Sequence, residues 1–359
     1  WGGNRYDSRH LNYMDVPFEN EDDIISVNEG FSTTNSYPWA RAHLGFDFEF
    51  RNGSNIIAAA PGKVVYIAFF ELDGSSENKY GVHLFIQFNS TVVVNYGFEP
   101  WTNDSSITEQ QLLLFTVKKG DWVNQSQKIA TFLRFGNAAH IHFEVKENQK
   151  KWRLDKYFSA EAHSKMLNLT QKYHPEWPHY CFDEFTPLNY AIKPFDNNNS
   201  VKNVLRTWSL TDTNPWGASN LGLDFQLHVG HALRTIAPGK VIELKLYERS
   251  SYNTSKYYIN LTMAFNKSIQ IHYYFESGTT NQTEAINQLN SLQVNVGEWL
   301  LLNWTLGIYT LTDLSAYLQI SIEENHAYFR IDRYFSAIVQ KELTDILHIY
   351  HPGWSLVYL

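Results

Sequence analysis

Short runs rich in Val, Ile, Tyr and Phe alternate along this chain with clusters of Gly, Pro, Asn and Ser. "KVVYIAFF" at 63–70, "HLFIQF" at 83–88, "STVVVNYGF" at 90–98 and "HIHFEV" at 140–145 are examples. Runs of this length and composition, separated by turn residues, predict antiparallel strands of a β-sandwich or barrel. One helix is expected near 158–173, where Ser159 is a candidate N-cap, Met166, Leu167 and Leu169 supply apolar positions, and Pro175 stops it. Apolar stretches such as "VVYIAFF" and "QLLLFTV" are strand-sized, and none is long enough to span a membrane.

The pattern occurs twice, at a constant offset of 177 residues. "LNYMDVPFEN" at 11–20 returns as "LNYAIKPFDN" at 188–197, and "PWARAHLGFDF" at 38–48 as "PWGASNLGLDF" at 215–225. "APGKV" at 60–64 recurs unchanged at 237–241, "LDKYFSA" at 154–160 becomes "IDRYFSA" at 331–337, and "KYHPEW" at 172–177 becomes "IYHPGW" at 349–354. The expected organisation is therefore a tandem duplication. The first copy spans 1–177, with a lead-in at 1–23, a β core over about 24–150 and the helix. The second spans 178–359, with its lead-in at 178–200 and its helix between Ser336 and Pro352. His174 and His351 precede the prolines in both copies and read as structural. The acidic stretch "ENEDD" at 19–23 reads as a solvated linker.

Composition sharpens the setting. At 359 residues and 43% hydrophobic content the chain can bury two cores, and aromatic residues reach 16%. A net charge of −8 with no basic run argues against nucleic acid as a partner. Cys181 is the lone cysteine, so no intrachain disulfide is possible. Eleven N-x-S/T sequons begin at Asn52, Asn89, Asn103, Asn124, Asn168, Asn198, Asn253, Asn260, Asn266, Asn281 and Asn303. With 31 Asn and 48 Ser plus Thr, chance gives about four. This excess predicts a secreted, N-glycosylated protein of the cell exterior. The start at Trp1 is read as the trace of a removed upstream segment, expected to be a signal peptide.

The chemistry differs between the copies. His140 and His142 in "AHIHFEV" lie two apart in a strand and so share a face. They align with Tyr317 and Gln319, and His43 aligns with Asn220, while Asp47 keeps a counterpart in Asp224. Residues that set the fold should persist in both copies. Three histidines lost together suggest membership of one site. His228 and His231 in "LHVGH" have metal-like spacing but fall in a hairpin region and read as loop residues.

"HLGFD" at 43–47, "AAAPGKVVYI" at 58–67, "VKKGDWVNQSQKIA" at 117–130 and "HIHFEV" at 140–145 occur in the order and spacing of a known family. Over most of 38–145 the first copy resembles the lysostaphin-type zinc metallopeptidases, which have a duplicated-hybrid-motif β fold. The resemblance implies one zinc in the first copy, held by His43, Asp47 and His142 with a position left for water. It also implies that His140 assists proton transfer or binds a developing oxyanion. The family carries a further catalytic histidine in a Y-A-H stretch. Here "NYGFEP" puts Phe98 at that place, and Phe275 matches it in the second copy. His83 lies in the preceding strand and does not match the motif.

Phe98, the degenerate second copy and the sequons together predict an extracellular structural or surface-assembly protein, with a retained or vestigial zinc site and little hydrolysis. The competing expectation is a secreted zinc endopeptidase acting on peptidoglycan-type cross-bridges, with the first copy catalytic and the second for targeting. The chain also ends in "SLVYL" after "HPGW", where a third lead-in would begin. A surface left unfilled there, taken up by another molecule's N-terminus, predicts head-to-tail self-association into a filament.

Overall fold

A computed structural model describes residues 11–33, 41–72, 77–177, 179–182, 187–249 and 255–358. Asn253 and the first ten residues of the lead-in lie outside these. The chain divides into two compact units, Trp1–Asp183 and Glu184–Leu359. Each is built on an eight-stranded antiparallel sheet, so the chain is mainly β with two tandem domains. In the first unit the sheet runs in the order Ile24–Val27, Phe46–Phe50, His140–Glu147, Val92–Glu99, Tyr80–Gln87, Gly62–Glu71 and Trp122–Val123, with Lys150–Trp152 paired to His140–Glu147. The second unit repeats that order from Val201–Arg206 to Trp299–Leu300.

Alternation along the strands separates two faces. Phe46, Phe48, Phe50, Val82, Leu84, Ile86, Val94, Tyr96, Phe98, Ile141, Phe143 and Val145 all turn inward and are buried. At about 1.5–3 kcal/mol for each large apolar side chain, this face carries the stability of the unit. The Tyr96 hydroxyl accepts the Ala59 amide at 2.7 Å, and Tyr273 accepts that of Ile236 at the same distance in the second unit. The opposite face carries Asp47, Glu49, His83, Phe85, Asn95, Gly97, Glu99, His140, His142 and Glu144, as the cross-strand register requires.

Ala160–Tyr173 and Ala337–Tyr350 are the expected closing helices, capped by Ser159 and Ser336. His174 and His351 end them, each with Nε2 on the carbonyl of Val27 or Val204 and each stacked on a tryptophan at 3.8 Å. Two further helices, Ser105–Leu113 and Gln282–Ser291, are not visible in the hydrophobic pattern, and the first takes in 111–113 of the strand-sized "QLLLFTV". The physical reason is that polar bonds anchor them. Gln111 spans the Thr131 carbonyl and the Leu133 amide, and Gln288 spans the Ile308 carbonyl and the Thr310 amide. "ENEDD" is also more than a linker, because Glu21–Asp23 forms a 3-10 turn capped by Asn20 that leads into the edge strand.

Both ends of each repeat close on their own unit. Met14 bridges to Phe158 and Phe18 to Ile56, just as Ala191 bridges to Phe335 and Phe195 to Leu233. Cys181–Phe182 pairs in parallel with Phe31–Ser32, and Val357–Tyr358 with Trp208–Ser209. "SLVYL" is therefore the counterpart of the segment after Trp177, not the start of a third lead-in, and residues 179–182 belong with the first unit. The described part of each lead-in fills its own unit's surface, so the premise of the head-to-tail expectation is met within each unit. No described helix is long and apolar enough to cross a membrane.

Candidate metal centre

His43 precedes the strand Phe46–Phe50, Asp47 lies on it, and His142 sits opposite Asp47 on the neighbouring strand. Their ligand-type atoms converge. His43 Nε2 is 3.0 Å from His142 Nδ1, His142 Nδ1 is 2.9 Å from Asp47 Oδ1, and His43 Nε2 is 3.3 Å from Asp47 Oδ1. Tetrahedral zinc with bonds of about 2.0–2.2 Å holds its ligand atoms about 3.3–3.6 Å apart, so small outward shifts admit an ion. Gly45 of "HLGFD" is required by this packing, since a Cβ there would stand 2.5 Å from His142 Cε1.

The outer hydrogen bonds select which nitrogen faces the centre. His43 Nδ1 meets the Gly30 carbonyl at 2.8 Å, leaving Nε2 as the ligand. His142 Nε2 meets Glu144 at 3.3 Å, leaving Nδ1. Glu144 is held in turn by Asn95 at 2.7 Å, Lys146 at 3.0 Å and Lys151 at 2.5 Å. A carbonyl or carboxylate behind each histidine is the usual support of a metal site.

Electrostatics agree with that chemistry. Burial opposes the Asp47 charge, but His140 and His43 outweigh it and hold the carboxyl well below its ordinary range. Burial also opposes a proton on His142, yet its bonds to Asp47 and Glu144 lift its pKa to about 10. The metal-free cluster thus keeps on His142 a proton that an ion would displace.

His140 points into the same face. Its Nδ1 is 2.8 Å from the Ala138 carbonyl, and its Nε2 lies 3.4 Å from Glu99 and 3.7 Å from Asp47. Glu99 is bound by Asn78 at 2.5 Å. Phe98 behaves otherwise: it is fully buried against Phe115 and Phe132, opposite Ile141 in the register, on the face away from the ligands. In this chain position 98 is therefore a core position and not part of the metal face. The sequence reading passed over Glu144 and Glu99, and set His83 aside for want of a motif. Period-two alternation with His142 would have found the first two, and alternation against Val82 and Leu84 the third.

The second unit holds its aspartate differently. Asp224 Oδ1 accepts from Gln319 at 2.8 Å and Asn220 at 3.3 Å, and the Gln319 amide also reaches Asn220 at 2.8 Å. Arg206, at the position of Glu29, pairs with Asp224 at 2.5 Å and donates to the Tyr317 hydroxyl at 2.8 Å. The Arg206 guanidinium supplies positive charge there. That face also carries an aromatic stack, since Tyr247, Tyr258 and Tyr274 stack at 5.1 and 4.6 Å where the first unit has Phe70, Gly81 and Gly97. His228 and His231 flank a turn, as expected, with His231 near Ser200 at 3.1 Å.

Asp155, His179 and Cys181 form a second buried group, with ligand-type atoms within 4.8 Å of one another. Asp155 is already bound at both oxygens by the buried Arg153, at 2.7 and 2.5 Å. The pair recurs as Arg330–Asp332, where Leu356 and Tyr358 replace the other two residues, so it belongs to the fold.

Residues 41–154 match peptidase family M23. No curated protein matches the chain. Similar solved structures include Helicobacter pylori Csd3, at 20% identity over 45% of this chain and 40% of that one, with a TM-score of 0.30. A zinc-containing peptidase from Vibrio cholerae is 23% identical over 40% of this chain and 39% of that one, TM-score 0.28. This chain thus spans about two fifths of the length of either. The catalytic domain of the antimicrobial peptidase lysostaphin from Staphylococcus simulans is 19% identical over 36% of this chain and 87% of that one, TM-score 0.25. The match to peptidase family M23 thus falls within the first of the two tandem copies, over residues 41–154.

Proposed function

We propose that the first unit is a zinc-dependent peptide hydrolase and that the second is its metal-free structural partner, in a secreted N-glycosylated protein. The observation that carries the reading is the convergence of His43 Nε2, Asp47 Oδ1 and His142 Nδ1, each nitrogen selected by a bond on its far side. Zinc bound there would lower the pKa of a water to roughly 7 and polarise a scissile carbonyl. The chain's own groups supply the rest. His140 Nε2 faces the groove beside Glu99, placed to donate to the oxygen on which charge develops. Glu99 orients that ring, and Gly97 puts no side chain between His142 and the next strand, leaving room there for a peptide.

Peptidoglycan-type cross-bridges are the substrate class that the family resemblance suggests. The external setting is supported by the sequons. None of the ten described sequon asparagines is buried. At Asn52, Asn89, Asn198, Asn266 and Asn281 a side-chain oxygen accepts a bond, an arrangement compatible with sugar on Nδ2. Asn260 differs, because its Nδ2 donates to Glu243 at 2.5 Å, and it is the sequon expected to stay bare.

Metal analysis of the purified chain, with a chelator-sensitive cleavage assay on peptidoglycan and oligoglycine, tests the hydrolase. One zinc per chain and cleavage that His142→Ala abolishes are expected. A zinc-loaded chain that cleaves neither substrate favours the second reading, an extracellular building block with a vestigial site. That reading is supported by the second unit, where amides and a guanidinium stand around Asp224 in place of the ligand histidines.

A further inference from the structure

His83 lies on the metal face, although no motif marks it. Its strand neighbours Val82 and Leu84 turn into the core, so His83 turns outward, and the register sets it level with Gly97 and, one strand further, His142. Gly97 has no side chain to come between the two histidines. A Cβ placed on Gly97 would be 3.4 Å from His142 Cβ and 3.6 Å from His83 Cε1. The His83 ring stacks on Phe70 at 4.0 Å, which fixes its plane.

The ring is largely buried and hydrogen-bonds the Asn95 side chain, whose Nδ2 donates to Glu144 at 2.7 Å. The second unit shows the alternative. Asn260 occupies the same position and donates to Glu243 at 2.5 Å and Thr262 at 3.2 Å. The first unit has Tyr66 and Phe85 where those partners stand, and the second unit has Tyr274 where the first has Gly97. His83 therefore shares the fate of His43, His140 and His142: present beside the metal-type site, replaced where that site is gone. Burial, opposed by Glu144, lowers its pKa to about 4, so the ring is neutral at physiological pH and one of its nitrogens can accept a proton.

We propose that His83 is a catalytic residue of the first unit, the second imidazole of the groove, facing the scissile amide across Gly97 from His142. The assignment rests on the hydrolase reading above. As the attacking water's oxygen bonds to the carbonyl carbon, the imidazole takes the proton that the water gives up. It returns that proton to the amide nitrogen as the C–N bond breaks, which releases a carboxylic acid and an amine, the acid's proton then passing to the amine or to solvent, and leaves His83 neutral.

The test uses the full zinc-loaded chain with His83→Ala and His83→Asn, the latter being the second unit's own residue. Zinc content and melting temperature should match the unmodified protein. On an oligoglycine peptide kcat should fall about 10²–10⁴-fold with KM nearly unchanged, and added imidazole should restore part of it in His83→Ala. Independently of turnover, a non-cleavable phosphinate peptide should shift the His83 imidazole ¹⁵N resonances. Unchanged kcat in both variants, or resonances indifferent to the phosphinate while the unmodified chain cleaves, would overturn the assignment and leave the hydrolase reading standing. An unmodified chain that takes up zinc but cleaves nothing overturns both.

Discussion

The two units place the same aspartate on the same strand and surround it with different charge. In the first, Asp47 faces His43, His142 and His140, and the Arg41 guanidinium is engaged by Glu29 at 2.5 Å. In the second, a guanidinium replaces Glu29 and pairs with Asp224 directly, while two amides take the places of the ligand histidines. A buried carboxylate needs a compensating cation or enough hydrogen bonds. The fold meets that need with side chains alone in one copy and leaves it to an ion, or to ligand protons, in the other.

The comparison is sharpened most by converting one unit into the other. Arg206→Glu, Asn220→His and Gln319→His together should give the second unit a zinc site, raising the content from one zinc per chain to two by mass spectrometry. The same two histidines with Arg206 retained should give none, because the guanidinium holds the ligand oxygen's carboxylate. Equal uptake by both would break the charge-replacement account.

Phe98→His follows in size. The position faces the core, so the change buries an imidazole among Phe115 and Phe132 and should cost about 3 kcal/mol, a loss of the order seen on truncating a buried Phe. Denaturant unfolding measures it, and no gain in peptide cleavage is expected. A stable, more active variant would mean that this residue reaches the metal face after all.

Glu144→Gln tests the support behind His142. Zinc affinity should weaken about 10–100-fold, read by competition with a chromophoric chelator. Ser321 holds the equivalent place in the second unit, where no imidazole needs orienting.

The smallest effect is one of pH. The His142 pKa is lifted to about 10 in the metal-free unit, above its unfolded value of 6.5. Its imidazolium therefore stabilises that unit fully below pH 6.5, and the contribution is lost as pH rises through 10. Zinc must displace the same proton, so affinity should rise about tenfold per pH unit between pH 6 and 8, with about one proton released on binding. Calorimetry in buffers of different ionisation enthalpy checks the count. A flat affinity would place the proton elsewhere.

Much of this was legible in the residues themselves. The duplication, the strand-rich pattern and the closing helices are local or periodic properties, carried by alternation and caps, while the set His43, Asp47 and His142 came from the resemblance to a known family. The helices Ser105–Leu113 and Gln282–Ser291 were not, because Gln111 and Gln288 hold them by bonds to a distant strand and no apolar stripe marks them. The closure of each repeat by Cys181–Phe182 and Val357–Tyr358 depends on partners about 150 residues away, which no local pattern reports.

Sequence by itself determined which residues alternate and which copy retains imidazoles. Only the tertiary structure decided which face each strand shows to which neighbour. Motif spacing put Phe98 at a catalytic place, whereas the register turns it into the core and brings His83, from another strand, level with the ligands. The reason is geometric: in a sheet the side-chain period is two, and function depends on residues that share a face across strands, a relation set by pairing and not by distance along the chain.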